Sequence, residues 1–467
     1  MMRVTQAAEV LYGSSSGIDV EFTGVSTDSR TIGKDELFVA LRGERYDGHA
    51  YVAGLARSGA AAAMVDKAYV ATYGAAVAGI ALIVVEDTRF ALGRLAQYWR
   101  TRFSPALIAI AGSNGKTTTK EMLASILRCA AGEAGVLATA GNLNNDIGLP
   151  LTLLRMRATH RWCAIELGMN HKGEIAYLAQ IARPSIALVT NAQREHLEFM
   201  GSVDEVAEEN SAVFRALPAE GIAVINADDP HSDTFRSAAG ERRIVDFSHD
   251  RAASVTARYQ LRPLTSMIRI ASPAGEAEAT LAIPGRHNVT NALAAAACAH
   301  AAGISPQAIA AGLGAFRPYI GRLQVKTAPQ GATVIDDSYN ANPDSVRAAI
   351  DVLVAAPGRT VLVLGDMGEV GEDGPDFHSE IGRYARERGV GSVLALGEST
   401  AHTAAAFGHG ARHYATLEDL LAALAHMRDP GTTILVKGSR FMQMERVVAA
   451  LCESTTTPVS GSPVEAH

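Results

Sequence analysis

Several features that would place this sequence in another class of protein are scarce or missing. Only four cysteines occur in 467 residues: Cys129, Cys163, Cys298 and Cys452. They are far apart and lack the paired spacing of a metal site, and their apolar neighbours suit reduced packing residues. That usage fits a reducing compartment. No uninterrupted apolar run is long enough to span a bilayer. The opening MMRVTQAAEVLYGSSSG has no signal-peptide apolar segment, so the protein is expected to stay in the cytoplasm. There is no basic excess either. The formal net charge is −7, and a nucleic-acid partner is not expected. What remains, 48% hydrophobic and 19% charged, is the composition of an ordinary globular chain, long enough for roughly two to four domains.

The most informative stretch present is LIAIAGSNGKTTTKEML, residues 107–123. An apolar strand-like run breaks at Gly112-Ser113-Asn114-Gly115, then Lys116, Thr117 and Thr118 open a helical pattern. Strand, glycine turn and helix N-terminus form the context of a phosphate loop. The glycines let backbone N–H groups approach phosphate oxygens, and the helix start adds unpaired donors. Lys116 suits the terminal phosphates, and the Thr117 hydroxyl suits a Mg²⁺ ligand. The strict pattern wants glycine at 110, where this chain has Ile110, so the loop is a variant form. A nucleoside triphosphate is the expected ligand.

Residues 1–104 read as a small α/β unit, with strands in 35–43 and 79–87 and an Ala-rich helix over 51–65 that reaches a strand. Its connections carry Ser29 and Arg30, then Asp47 and His49, which suit either binding or turn chemistry. The second unit starts near Pro105. GNLNNDIG places Asn142 and Asn145 among amides that must lie at the surface or grip something polar. Glu166 ends a strand-like run, where it could hold Mg²⁺ or simply face solvent. His196 lies in a polar loop, followed by a capping box, Ser202 to Glu205, that starts a helix. Residues 284–303 form a long Ala-rich helix with Asn288 and Asn291 on one side of its first turn. Segments SVTARYQL and SMIRIAS suit antiparallel strands at a sheet edge. From about 318 a third unit alternates strands (333–338, 360–366, 392–397, 432–439) with helices, which argues a parallel sheet covered on both faces. Residues 453–467 are polar and read as a loose tail.

Taken in order, DSRTIGKDELFVALRGERYDGH, AGSNGKTTTKEML, GNLNNDIGLPLTLL, IELGMNHKGEI, TNAQREHLEFMGS, PGRHNVTNALAA, IDDSYNANPDSVRAA, LGDMGEVG and VKGSRFMQME closely resemble the Mur ligase family, over roughly residues 26–446. The resemblance implies an α/β protein of three domains: a small N-terminal UDP-binding domain (1–104), a central phosphate-loop ATPase-like domain (105–317) and a C-terminal Rossmann-like domain (318–455), before a flexible tail (456–467). GNLNNDIG and DDSYNANP favour the branch that joins D-alanyl-D-alanine to UDP-N-acetylmuramoyl-tripeptide with ATP and Mg²⁺, through an acyl phosphate. The alternatives are the ligase that adds the third amino acid, a folylpolyglutamate synthetase-like enzyme, and an ATP-binding switch without ligase activity. By resemblance, Thr117, Glu166 and His196 surround the metal, and Gly112 to Thr118, Asn288, Asn291, Arg322 and Asp337 bind ATP. Ser29, Arg30, Asp47, His49, Asn142, Asn145, Tyr339 and Asn340 contact substrates. Lys116, Glu166, His196, Lys437 and Arg440 carry the chemistry. A monomer is expected.

One departure stands out. Most of the family carries a lysine fourteen residues after the metal-shell histidine, and this lysine is carbamylated. Here that position is Asn210, which is neutral and cannot be carbamylated. The sequence therefore predicts that Asn210 hydrogen-bonds a metal-bound water or leaves room for a small anion, so that activity depends less on CO₂ or bicarbonate than in the rest of the family and responds to chloride. Glu208 and Glu209 point elsewhere around the helix.

Overall fold

The computed structural model describes residues 1–75 and 79–453. The expected tail, 456–467, lies outside the described residues. The chain forms two compact units, the first from 1–259, 267–280 and 287–316, the second from 260–266, 281–286 and the residues from 317 on.

The first unit contains a five-stranded sheet. Gly24–Ser26, Glu36–Val39, Ala62–Asp66 and Ala81–Val85 run parallel, and Ser14–Ser16 is antiparallel on the edge. Residues 51–65 hold less helix than expected before the strand that they reach. They form a 3-10 turn (Gly48–Gly54), a single helical turn (Leu55–Ser58) and then the strand Ala62–Asp66. Gly59, at φ 79°, stops the helix. In the strand, Ala62 and Met64 enter one apolar core and Ala63 and Val65 the other. A parallel strand buried on both faces reads as a continuous apolar run, and alanine does not distinguish that from a helix.

The helix Thr88–Arg100 packs Leu92, Leu95 and Trp99 into one core with Leu149, Leu153, Leu178 and Ile181 of the next segment. Trp99 Nε1 donates to the Met156 carbonyl at 3.1 Å, and the buried Arg100 Nε to that of Ala182 at 3.1 Å.

The nine-stranded sheet has the order 275–281, 266–272, 255–261, 243–248, 222–226, 186–189, 106–111, 162–166, 136–138. From Val136–Ala138 to Val255–Leu261 every pairing is parallel. The last three strands in chain order are joined by short turns and form the expected antiparallel edge. The predicted long helix is Arg286–Ala301.

In the second unit six strands lie in the order Gln324–Thr327, Thr333–Asp337, Thr432–Lys437, Arg359–Gly365, Ser392–Leu396, Ala411–Tyr414. The four predicted strands are present and mutually parallel. Val334, Val361, Val363, Ile434 and Val436 pack with Leu420, Leu424, Val447 and Leu451 of the helices Leu417–Leu424 and Glu445–Cys452. All four cysteines are free. Cys163 and Cys298 are buried as expected; Cys129 is exposed, because it falls on the outer face of the helix Lys116–Ala131. Among the described residues no helix is long and apolar enough to cross a membrane.

Candidate active site

Three neighbouring parallel strands bring the candidate residues of the first unit to one edge. Glu166 is in register with Ile110, and Val189 with Ala111, so the glycine loop, Glu166 and the segment 190–196 leave the sheet side by side. After Ala106–Ala111 the chain adds two strands on one side and then crosses to the other. That makes this strand the switch point, beyond whose C-terminal end open α/β sheets bind ligands. Ile110 is fully buried in the strand, so the missing glycine costs the loop nothing.

Gly112 has φ 121° and Gly115 φ 83°. A Cβ at Gly112 would lie 2.2 Å from Thr190 Oγ1, and one at Gly115 2.2 Å from Asn291 Oδ1. Only glycine admits these neighbours. Segment 190–196 clasps the loop from one side. The Asn114 N–H donates to Asn191 Oδ1 at 2.9 Å, Asn191 Nδ2 returns a bond to the Asn114 carbonyl at 3.0 Å, and Asn114 Nδ2 donates to Gln193 Oε1 at 2.7 Å. The Gln193 N–H donates to Ser113 Oγ at 3.0 Å. Asn291, whose Nδ2 donates to Asn288 Oδ1 at 3.1 Å, bounds the loop at Gly115. The first turn of the helix Lys116–Ala131, with Thr117 and Thr118 buried, supplies the unpaired N–H groups that make helix starts bind anions.

Lys116 Nζ donates to the carbonyls of Gly112 at 2.5 Å and Ser113 at 2.9 Å, and both oxygens of Glu195 lie 3.4 Å away. Burial alone would raise the Glu195 carboxyl. The Lys116 ammonium and His196 outweigh it and hold the group below the usual carboxylate range. His196 sits at φ 53°, ψ 32°, a left-handed conformation that costs a non-glycine residue about 1–3 kcal/mol and is concentrated at functional sites.

Glu166 is 2% exposed. Its Oε1 accepts from Thr117 Oγ1 at 3.2 Å and from Asn144 Nδ2 at 2.8 Å, and its N–H donates to Thr139 Oγ1 at 3.0 Å. Its Oε2 is buried with no hydrogen-bond partner among the described residues. A carboxylate oxygen held this way beside a phosphate loop fits a divalent cation, whose hard oxygen ligands would come from Glu166 and Thr117. Neither Glu195 nor Asn144 is among the residues expected from sequence. The one visible signal was that Asn144 belongs to the amide cluster of GNLNNDIG. Asn142 and Asn145 are both exposed, and Asn145 Oδ1 accepts the N–H of Gly148, the first residue of the helix Gly148–Leu154, at 2.9 Å.

Asn210 adds a contact to the loop. It is 1% exposed. Its Oδ1 accepts the Gly112 N–H at 2.7 Å and its Nδ2 donates to the Val206 carbonyl at 2.9 Å. These two backbone bonds brace the glycine loop, a role the sequence does not reveal. Glu208 pairs with Arg215 at 2.9 Å, and Glu209 accepts the N–H groups of Gly173 and Ile175 at 2.8 Å each, so neither takes a metal position. The capping box is half formed. Ser202 Oγ accepts the Glu205 N–H at 3.2 Å, but the Glu205 carboxylate goes to Lys172 at 2.7 Å.

The N-terminal candidates divide by exposure. Arg30 is exposed and forks onto Asp28 with bonds of 2.9 and 2.7 Å, and Arg30 is the main cause that lowers the Asp28 carboxyl to about 2. Tyr46 and Tyr51 are exposed as well. Ser29 is half-buried. His49 is buried, with Nδ1 2.6 Å from Asp47 Oδ1 and Nε2 accepting the Asp66 N–H at 3.1 Å. Asp47 also pairs with Arg42 at 2.5 Å. His49 and Asp47 therefore tie the 3-10 turn to the end of Ala62–Asp66.

The second unit gathers its own candidates. Lys437 Nζ, 2% exposed, donates to Asp337 Oδ2 at 2.5 Å and to the Asn340 carbonyl at 2.7 Å. Burial drives its ammonium below the ordinary lysine value, and Asp337 offsets part of this. Asp337 Oδ1 accepts the Leu323 N–H at 3.2 Å. The Arg322 guanidinium lies 4.0 Å and that of Arg440 6.0 Å from the centre of the Tyr339 ring, within cation–π range. Arg440 also pairs with Glu445 at 2.7 Å, and Asn340 Oδ1 accepts the Ala341 N–H at 2.9 Å.

Over nearly its whole length the chain is similar to known proteins. Family models described as Mur ligase family, catalytic domain, Mur ligase middle domain and Mur ligase, glutamate ligase domain match residues 21–100, 110–299 and 321–440. The UDP-N-acetylmuramoyl-tripeptide–D-alanyl-D-alanine ligase of Escherichia coli K12 is 38% identical over 458 residues, covering 97% of this chain and 99% of its own. A crystal structure of MurF from Acinetobacter baumannii has a TM-score of 0.88 at 34% identity, covering 97% of this chain and 100% of its own. The MurF ligase of Thermotoga maritima, solved in complex with ADP, shares the fold with a TM-score of 0.79 at 24% identity, over 92% of this chain and 96% of its own.

Proposed function

This chain belongs to the Mur ligase family, and from that premise we propose that it joins D-alanyl-D-alanine to UDP-N-acetylmuramoyl-tripeptide, with cleavage of ATP to ADP and phosphate. The tripeptide carboxylate attacks the γ-phosphorus, the bond to the β-phosphate oxygen breaks, and an acyl phosphate forms. The amine of the dipeptide then attacks the acyl carbon, phosphate leaves, and the amine proton is lost. The observation that carries this reading is Glu166, whose buried second oxygen has no partner among the described residues and stands beside a phosphate loop built around Lys116.

The first step brings an anionic carboxylate to an anionic triphosphate. Positioning and positive charge supply most of its catalysis. Lys116 needs only to exchange two carbonyls for phosphate oxygens. A Mg²⁺ bound by Thr117 and Glu166, with His196 nearby, would neutralise charge on the phosphates. Asn288 and Asn291 are assigned to the nucleotide, Arg30 with Ser29 to the UDP end, and Asn142 and Asn145 to the muramoyl peptide. Arg322 and Asp337 are assigned to the nucleotide, and Tyr339, Asn340, Lys437 and Arg440 to the dipeptide step. The domain limits proposed are 1–104, 105–317 and 318–455, acting as a cytoplasmic monomer.

The test is isotopic. With ¹⁸O in the terminal carboxylate of the tripeptide, one labelled oxygen should appear in the released phosphate, because that oxygen bridges carbon and phosphorus in the intermediate. Phosphate free of label would eliminate the acyl phosphate.

A further inference from the structure

Glu195 has no part in the roles assigned so far, yet it is placed as if it should. Both of its oxygens lie 3.4 Å from Lys116 Nζ, its Oε1 is 3.5 Å from His196 Nε2, and its side chain is 12% exposed. As the loop stands, Lys116 is its counter-ion. The difficulty comes when phosphate oxygens claim Lys116. Glu195 would then hold a negative charge in a nearly closed site, its main counter-ion drawn away and further negative charge arriving. Like charges close together in a poorly solvated site repel strongly, and a nearly buried carboxylate needs a compensating charge.

A divalent cation resolves this. Carboxylate and phosphate oxygens are its preferred ligands, and imidazole is acceptable to several such metals. Octahedral Mg²⁺ with bonds of about 2.0–2.1 Å places neighbouring ligand atoms about 3 Å apart, so the Glu195 and His196 atoms need to approach only slightly. The strained backbone at His196 holds its ring next to this carboxylate. We propose that Glu195, together with His196, ligates a divalent cation once the nucleotide engages Lys116, so that one carboxylate serves two counter-ions in turn. This rests on the nucleotide-binding reading of the loop.

The test uses the full chain and its Glu195→Gln variant, which keeps the side-chain shape. Mn²⁺ is titrated by electron paramagnetic resonance with a non-hydrolysable ATP analogue at saturation, and the analogue alone is titrated calorimetrically in EDTA. In Glu195→Gln the affinity for Mn²⁺ should fall about tenfold or more, within the range seen when a metal site loses a supporting group. The metal-free analogue should bind at least as tightly as to wild type, since a negative charge beside its phosphates has gone. Glu195→Asp should recover part of the Mn²⁺ affinity, and it carries the same comparison if the Gln variant fails to fold. Unchanged Mn²⁺ affinity in a variant that binds the analogue normally would overturn the proposal and leave Glu195 as the counter-ion of Lys116 alone. A wild-type protein that binds no analogue in either buffer would overturn the nucleotide-binding reading, and this inference with it.

Discussion

At the scale of single residues, the site is built from groups whose partners are distant in sequence. Lys116, Thr117, Glu166 and His196 are legible because each occupies a motif position with its own chemical signature. Glu195 and Asn144 are not. Glu195 matters through Lys116, 79 positions away, and Asn144 through Glu166, 22 away, and neither distance leaves a trace in local pattern. Asn210 is visible in the sequence as a departure from the family pattern, but its partner is not, because Gly112 lies 98 positions off. The bond it makes has a consequence. Asn210→Ala should leave the buried Gly112 N–H without its acceptor, at a cost of about 1–3 kcal/mol, seen as a lower melting temperature and weaker nucleotide binding. Wild-type activity should survive rigorous removal of bicarbonate. A sharp loss restored by bicarbonate would mean that a carbamate forms elsewhere in the site.

At the scale of elements, four strands of the second unit are readable because β-branched and apolar residues cluster in segments of five to seven residues that end in glycine or polar loops. Gln324–Thr327 and Ala411–Tyr414 are not, being four residues long, partly polar and on sheet edges. The loop after Arg359–Gly365 shows how a buried histidine can hold an element. His378 Nε2 accepts the Met367 N–H at 3.0 Å and Nδ1 lies 2.7 Å from the Gly374 carbonyl, which defines a neutral ring. Burial lowers its pKa; the Gly374 carbonyl and Asp366 oppose the shift, and His402 adds to it. The unfolded chain therefore binds this proton more readily than the folded one. The stability His378 confers is complete above about 6.5, the unperturbed histidine value, and is lost as pH falls below it toward and past the folded value. Denaturant titrations from pH 7.5 to 5 should show stability falling with acidification, and His378→Gln should flatten the slope by up to one proton. An unchanged slope would place the titrating group elsewhere.

At the scale of the molecule, the alternation of strands and helices after residue 318 and the family resemblance are enough to anticipate the parallel core of the six-stranded sheet and an α/β fold throughout. Strand order was not readable. Placing Ala106–Ala111 between Trp162–Glu166 and Ile186–Val189 depends on which crossovers pack, and this choice assembles the site. The N-terminal candidates show the opposite limit. Asp47 and His49 occupy motif positions, yet the structure commits both to internal bonds, leaving exposed Arg30 with Tyr46 and Tyr51 as the more accessible groups of that region.

This phosphate loop is proposed to activate a carboxylate for amide synthesis, not merely to hydrolyse or sense ATP. The direct measurement is phosphate release from ATP with each substrate supplied alone and together. Steady turnover should require both UDP-N-acetylmuramoyl-tripeptide and D-alanyl-D-alanine, with one phosphate released per amide bond formed. Steady release at the same rate without either substrate would contradict it.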